Sequence, residues 1–537
     1  MRISRLAEKT PIDVTGFAKS GRLTPDEREL FAILMKVVKE KTPGTTVRAV
    51  GGWVRDKLMG KQPHDIDLMV DDIGGPEFAR LVTESLGLAG PHNIRVNPEQ
   101  SKFLETSRMF IPLSSGVKLE IDVAKTRKDV YQGSSRIPTT TDATAAEDSG
   151  RRDLTINAIF YSLNDDKIED FTGKGLSDLR DHVIRTPTDP KKTFSDDPLR
   201  MLRCCRFSAR YGWQIAPETF QSLSDPELHA KLRTKVSRDR KGIELKEMLS
   251  AGYPEVAVDL LIDTGIFEDL LIDAVSGTDR SGRMSSVKMD QNNPHHDLNW
   301  AEHTKALARG VAQKYRGKDK DKVFQVMMAS LLHDVGKLDS ASQQKKPDRT
   351  TYHGHEDASR EIAQEFMKSV KLESLSKPVE ALVGNHMRPH ELAATKNSKA
   401  VRRFIRDMSE AGVDWEDVVS LSQADAMAKR KAKEGESEKY DRLAEEGKES
   451  VKNMTLSKGT GIKPVVGGQE IMDAFSLKAG PLVGKMLKSV KDMMDENPSI
   501  SKDEAIEKLR ESFPQVKKQV SSASWLEEGM EAESFKK

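Results

Sequence analysis

The segment AVGGWVRDKLMGKQPHDIDLMV, residues 49–70, constrains the fold of this chain more than any other stretch. "TTVRAV" (45–50) reads as a strand, "WVRDKLM" as a short helix and "DIDLMV" as a second strand. Adjacent glycines, Gly51 and Gly52, stand where the first strand turns into the helix. They leave backbone N–H groups unobstructed, and a helix start favours a phosphate there. On the second strand, residues i and i+2 share a face, so Asp65 and Asp67 project together while Ile66 and Leu68 face the core. Two such carboxylates repel unless a cation sits between them, and a hard divalent ion such as Mg²⁺ suits that place. Either half is weak alone. Together, one element can grip a triphosphate and the other can hold the metals that neutralise it.

A third carboxylate commonly completes a two-metal site. "GVKLEIDVAK" (116–125) alternates like a third strand and offers Asp122, with Glu120 as a same-face rival. "NAIFYSL" (157–163) supplies a fourth strand signal. Before these, "TPDERELFAILMKVVKEK" has Thr24 as N-cap, Pro25 at the first helical position and Glu27 completing a capping box, so a surface helix follows what reads as a loose arm over 1–23. Mixed strands and helices up to about residue 165 give an α+β head. Beyond residue 190 the signals are nearly all helical, and the turn-rich "GTDRSGRMSS" (277–286) marks a boundary.

Composition limits the alternatives. Lys and Arg number 86 against 85 Asp and Glu, so no global basic field recruits a polyanion. A local patch must do so, and residues 185–248 carry 14 Lys/Arg against 9 Asp/Glu. Only two cysteines occur, the adjacent Cys204 and Cys205, which excludes a disulfide framework and suits a reducing cytoplasm. No apolar run has the length of a membrane span, and the first ten residues lack the apolar core of a signal peptide. "KRKAKEGESEKYDRLAEEGKESVK" (429–452) mixes both charges densely and reads as a solvated helix or linker.

"GGWVRD…DIDL" resembles the signature of the polymerase-β-type nucleotidyltransferases of class II, the CCA-adding tRNA nucleotidyltransferases and bacterial poly(A) polymerases. "RRDLTINAIFYSL" (151–163) is similar to the family's Arg-Arg-Asp-x-x-x-Asn-Ala motif, and "DDPLRMLRCCRFSARYGW" (196–213) to its Asp-x-x-Arg-x-x-Arg-x-x-Arg-Phe motif. "VSRDRKGIEL" (236–245) is similar to a weaker further motif. The resemblance implies that Asp65 and Asp67 hold catalytic Mg²⁺ with Asp122 as the third carboxylate, and that Gly51, Gly52 and Arg55 contact the triphosphate. Arg152 and Asp153 would engage the ribose, with Asn157 supporting their turn. Asp197 and Arg200, three apart and expected on one helix face, would read a base edge without a template. Asp196 stands where the family usually has Glu. Arg203 and Arg206 would continue the row toward phosphates.

Eight of the twelve histidines lie between 295 and 390. Four separated groups, "AEHT", "LLHDVGK", "YHGHE" and "NHMRPH", carry imidazoles and carboxylates suited to a divalent-metal hydrolase site. The segment looks like an HD-type phosphohydrolase domain. That resemblance implies a ligand set of His303, His333, Asp334, His355, His386 and Asp425, with His353 competing for the place of His355. The ion could be Ni²⁺, Mn²⁺, Co²⁺ or Mg²⁺.

The expected architecture is a polymerase-β-type head of mixed sheet and helices, an all-helical neck and body, and a helical HD domain. Expected boundaries are an arm and helix over 1–44, the head over 45–165, a nucleotide-recognition and RNA-binding neck over 166–283, the HD domain over 284–440 and a helical tail over 441–537. The expected activity is template-independent CCA addition to tRNA 3′ ends from CTP and ATP, with no DNA or membrane partner. The HD domain would act on 2′,3′-ends. Competing expectations are a bacterial-type poly(A) polymerase and, from another class, an HD phosphohydrolase whose head is vestigial.

Overall fold

The computed structural model describes residue 17 and residues 21–63, 65–94, 106–130, 139–290, 298–395, 397–429, 435–452, 456–457, 461–462, 464–514 and 516. Contacts divide the chain into two compact units that meet in sequence at Ala274 and Val275, with Ser369–Lys371 grouped with the first. Among the described residues no helix is long and apolar enough to cross a membrane.

The first unit begins with α1 (Pro25–Lys41), whose capping box forms as expected: Glu27 N–H donates to Thr24 Oγ1 at 3.1 Å, and Thr24 N–H donates to Glu27 Oε2 at 2.7 Å. The same Glu27 carboxylate accepts Trp53 Nε1 at 3.0 Å and Lys57 Nζ at 2.6 Å. One side chain thereby caps α1 and fastens α2 (Gly52–Leu58) to it. The loose arm is corrected at its described positions. Phe17 is buried among Trp53 and Tyr161, and Leu23 is buried too, because an aromatic cluster offers more than solvent can.

The strands are β1 (Val47–Val50), β2 (Ile66–Val70), β3 (His92–Ile94), β4 (Thr106–Pro112), β5 (Lys118–Lys125), β6 (Arg127–Val130), β7 (Thr139–Asp142), β8 (Phe160–Ser162) and β9 (Lys167–Glu169). Seven of them form one sheet in the order β3-β4-β5-β2-β1-β8-β9, and β6 pairs with β7 apart from it. The β2–β5 pair is parallel, and α3 (Gly75–Ser85) lies between the two in sequence. Its register sets Asp67 opposite Asp122, while Leu68 and Val123, the next pair, are buried. Register thus brings two distant carboxylates side by side.

After the sheet come α4 (Ala145–Gly150), α5 (Gly175–Asp181), α6 (Pro190–Asp196), α7 (Leu199–Tyr211), α8 (Pro217–Leu223), α9 (Pro226–Lys235), α10 (Arg238–Leu249), α11 (Pro254–Asp263) and α12 (Ile266–Val275). α7 buries Met201, Leu202, Cys204, Cys205 and Phe207. Both cysteines are free and buried, and burial raises both thiols, Cys205 to about 12, so neither is a ready nucleophile.

The second unit contains α13 (Trp300–Tyr315), α14 (Lys320–Leu332), α15 (His355–Ser369), α16 (Ser376–Asn385), α17 (Arg388–Ala394), α18 (Ser398–Glu410), α19 (Trp415–Met427) and α20 (Glu436–Lys452). The charged segment 429–452 therefore includes a helix that buries Tyr440 and Leu443. Then α21 (Gly468–Phe475), α22 (Pro481–Glu496) and α23 (Lys502–Ser512) gather around a separate core of Ile471, Met486, Val490 and Leu509.

Candidate active sites

In the first unit the turn between β1 and α2 carries Gly51 at φ +69° and ψ −130°, a conformation that side-chain-bearing residues rarely adopt. A Cβ there would lie 3.5 Å from Arg152 Nη1 and 4.0 Å from Asp67 Oδ2, so glycine, guanidinium and carboxylate share one corner. Asp65 stands immediately before β2, and Asp67 is exposed between the buried Ile66 and Leu68. The surrounding protein, then the charges of Asp122 and Asp65, raise the Asp67 carboxyl, and Arg152 opposes them. A carboxylate crowded by two others has the chemistry of a cation ligand. Arg108 holds Asp122 through Nε at 2.8 Å and Nη2 at 2.9 Å, and it reaches Glu120 at 2.5 Å.

Arg55 places Nη2 3.5 Å from where a Gly52 Cβ would stand, at the glycine corner itself. It is 3% exposed, grips Asp56 with two bonds of 2.9 Å, donates to Asn157 Oδ1 at 2.5 Å and covers the Phe207 ring at 5.3 Å. A guanidinium so held is fixed in place beside Gly52. Asn157 in turn donates to Asp153 Oδ1 at 3.1 Å. Asp153 receives Arg203 Nε at 2.8 Å and Nη2 at 2.7 Å. Burial resists its ionisation, but Arg203 and Asn157 outweigh that and hold the carboxyl down at about 2.

The shared helix face of Asp197 and Arg200 is a second correction. Asp197 is the C-cap of α6, whereas Arg200 lies on α7, because Pro198 cannot continue the preceding helix. Asp197 pairs with Arg240 of α10 at 3.1 Å, Asp196 with Lys192 at 2.8 Å and Arg206 with Glu244 at 2.7 Å. Arg200 donates to the carbonyls of Arg151, at 2.6 Å, and Thr193, at 3.3 Å. Asp148, Arg108, Arg240 and Glu244 are partners that motif reading missed. Asp148 stands three and four residues before Arg151 and Arg152, a spacing that could have marked it, and Arg240 and Glu244 lie within the 236–245 motif. Arg108 meets Asp122 only across β4 and β5.

In the second unit, two groups of ligand atoms each fall within 4.8 Å: His303, His333, Asp334 and Asp425, and then Asp334, His355 and His386. Asp334 belongs to both. Each histidine is aimed by its other nitrogen, with Nδ1 bonded to a backbone carbonyl: Ala428 for His303, Ser330 for His333, Tyr352 for His355 and Val383 for His386. In His333, His355 and His386 those bonds fix the protonated nitrogen and leave Nε2 turned inward, which is how metal-binding imidazoles are held, whereas His303 Nε2 meets the Asp425 carboxylate at 2.7 Å. Buried and lacking a hydrogen-bond partner among the described residues are His333 Nε2, His355 Nε2, His386 Nε2 and Asp334 Oδ1. A divalent cation would satisfy all four, so the donor set fits a metal.

Burial works against ionisation of Asp334, but Lys337 at 2.6 Å, His333 and His355 hold it well below the usual carboxylate range. His303 and His390 do the same for Asp425 at 2.7 and 2.9 Å. Burial lowers His333. His353 is exposed, whereas His355 is buried 3.4 Å from Asp334. A cavity of about 340 Å³ opens over the cluster, lined by Lys337, Tyr352, His353, His390 and Lys429 among others. His390, four residues after His386, was the overlooked member. It bonds Asp425 and the Tyr440 hydroxyl, which no sequence spacing could reveal.

Comparisons with known proteins cover both units. A model of the poly A polymerase head domain matches residues 47–185, one of the probable RNA- and SrmB-binding site of polymerase A matches 212–274, and one of the HD domain matches 295–431. The mitochondrial CCA tRNA nucleotidyltransferase of Candida glabrata is 30% identical over 505 residues, 87% of this chain and 91% of the relative. Its Saccharomyces cerevisiae counterpart is 29% identical, over 87% of this chain and 88% of that one. Poly(A) polymerase I of Escherichia coli is 31% identical over only 46% of this chain. A solved CCA-adding enzyme shares the fold, with a TM-score of 0.62 at 20% identity over 93% of this chain and 99% of the other. This chain belongs to the CCA tRNA nucleotidyltransferase family.

Proposed function

We propose that the first unit adds CCA to tRNA 3′ ends from CTP and ATP without a template. The observation that carries this reading is the register of β2 against β5, which pairs Asp67 with Asp122 beside the Gly51 corner. Asp65, Asp67 and Asp122 would hold Mg²⁺, which when bound would stabilise the attacking and leaving oxygens of an in-line displacement. Gly51 and Gly52 allow the triphosphate to approach the backbone. Arg152, Asp153 and Asn157 orient the ribose, and Asp196, Asp197, Arg200, Arg203 and Arg206 face base and phosphates. The RNA 3′-hydroxyl attacks the α-phosphorus, pyrophosphate departs, and no covalent enzyme intermediate forms.

A specific observation favours a second activity. The inward, unbonded Nε2 atoms beneath an open cavity suit a metal-dependent phosphohydrolase in the second unit, with His303, His333, Asp334, His355, His386 and Asp425 as ligands. A vestigial head is disfavoured by its intact carboxylates. A poly(A) polymerase is disfavoured because that likeness covers less than half of the chain. Both yeast relatives are named mitochondrial, so fractionation of tagged protein between cytosol and mitochondria decides the location.

Purified protein with Mg²⁺ and tRNA lacking its last three nucleotides should, given CTP and ATP, stop at CCA, and Asp65→Ala should abolish the product. Long adenosine tails on unrelated RNA would instead identify a poly(A) polymerase.

A further inference from the structure

One buried acid in the first unit has no part in the roles above. Asp148, in the first turn of α4, is 0% exposed. Its Oδ1 accepts Arg151 Nε at 2.9 Å and Nη2 at 2.5 Å, and its Oδ2 accepts Arg152 Nε and Nη2, each at 3.0 Å. One carboxylate therefore receives two adjacent guanidinium groups in paired, charge-assisted bonds. Burial alone would neutralise it, but Arg152 and Arg151 keep the acid ionised below its ordinary range.

The consequences reach the nucleotide corner. Arg152 is also held by Asn157 O at 3.2 Å, by Met69 Sδ at 3.0 Å and by the Phe160 ring 4.9 Å beneath it. Its Nη1 is the atom 3.5 Å from where a Gly51 Cβ would stand, with Asp67 Oδ2 close by, and its charge already acts on the Asp67 carboxyl. A guanidinium in that place, without its own carboxylate, has Asp67 as the next available partner. Pairing with Asp67 would set Arg152 in competition with any divalent cation.

We propose that Asp148 is a positioning residue of the nucleotide site: its carboxylate fixes Arg152 beside Gly51 and keeps that guanidinium off Asp67. Arg151 takes the other oxygen, and its own carbonyl accepts Arg200 from α7, so the same acid also anchors the element that meets α7. The inference rests on the nucleotidyltransferase reading of the head.

Full-length protein would be assayed with tRNA lacking CCA while Mg²⁺ and nucleotide are varied separately. In Asp148→Asn the Mg²⁺ concentration for half-maximal rate and the nucleotide KM should each rise about tenfold, the scale of one lost charge-assisted contact. Asp148→Glu keeps the charge and should fall between, and it carries the comparison if Asp148→Asn does not fold. In an Arg152→Gln background, Asp148→Asn should add less than about twofold. Unchanged Mg²⁺ and nucleotide requirements with a lowered melting temperature, or full additivity with Arg152→Gln, would overturn the proposal. Persistence of addition in Asp65→Ala would instead overturn the reading of the head itself.

Discussion

Replacing Asp153 by Asn removes a charge while keeping the shape of the side chain. The fall of its carboxyl from 3.8 to about 2 corresponds to roughly 2.5 kcal/mol at neutral pH. The Arg203 side chain is 34% exposed, so water compensates part of the loss once the charge is gone. Glu244 Oε1, 3.6 Å from Arg203 Nη1, compensates more. The expected destabilisation at pH 7 is therefore about 1–2.5 kcal/mol. Because the folded carboxyl lies below its unfolded value, this contribution is fully present above about pH 4 and fades as pH falls through about 2. The difference between wild type and Asp153→Asn should shrink accordingly in acid. Urea-dependent hydrogen exchange of α7 at pH 7 and at pH 2–3 measures it within the first unit. A difference of equal size at both pH values, or none at pH 7, would refute the reasoning.

Two further outcomes concern the histidine cluster. A Cβ on Gly336 would overlap the His355 carbonyl oxygen and stand 2.7 Å from Ser359 N, both backbone atoms, so Gly336→Ala should cost at least about 1–3 kcal/mol and displace His355; melting temperature and metal content of the purified variant check this. Purified wild-type protein should retain a divalent metal after dialysis that His333→Ala lacks, by elemental analysis, while CCA addition by the variant stays at the wild-type rate.

Local pattern determined what depends on short separations. The capping box at Thr24 and Glu27, the strand–turn–helix through Gly51 and the two-residue period of Asp65 and Asp67 are all written within a few residues of one another. The same holds for the His333–Asp334 doublet at the end of an apolar helix. Motif order made the family legible. Tertiary structure decided which remote partner a charged group meets. The β2–β5 register chose Asp122 as the neighbour of Asp67, and Pro198 separated Asp197 from Arg200 into different helices. Burial committed Arg55 to Asp56 and Asn157, placed His355 inward and His353 outward, and brought His390 to Asp425 across 35 residues. Periodicity reports which face a residue shares with its near neighbours. Long-range ion pairs and the ligand set are fixed by packing between segments remote in sequence, where low local dielectric makes every unmatched charge costly and so selects the partners.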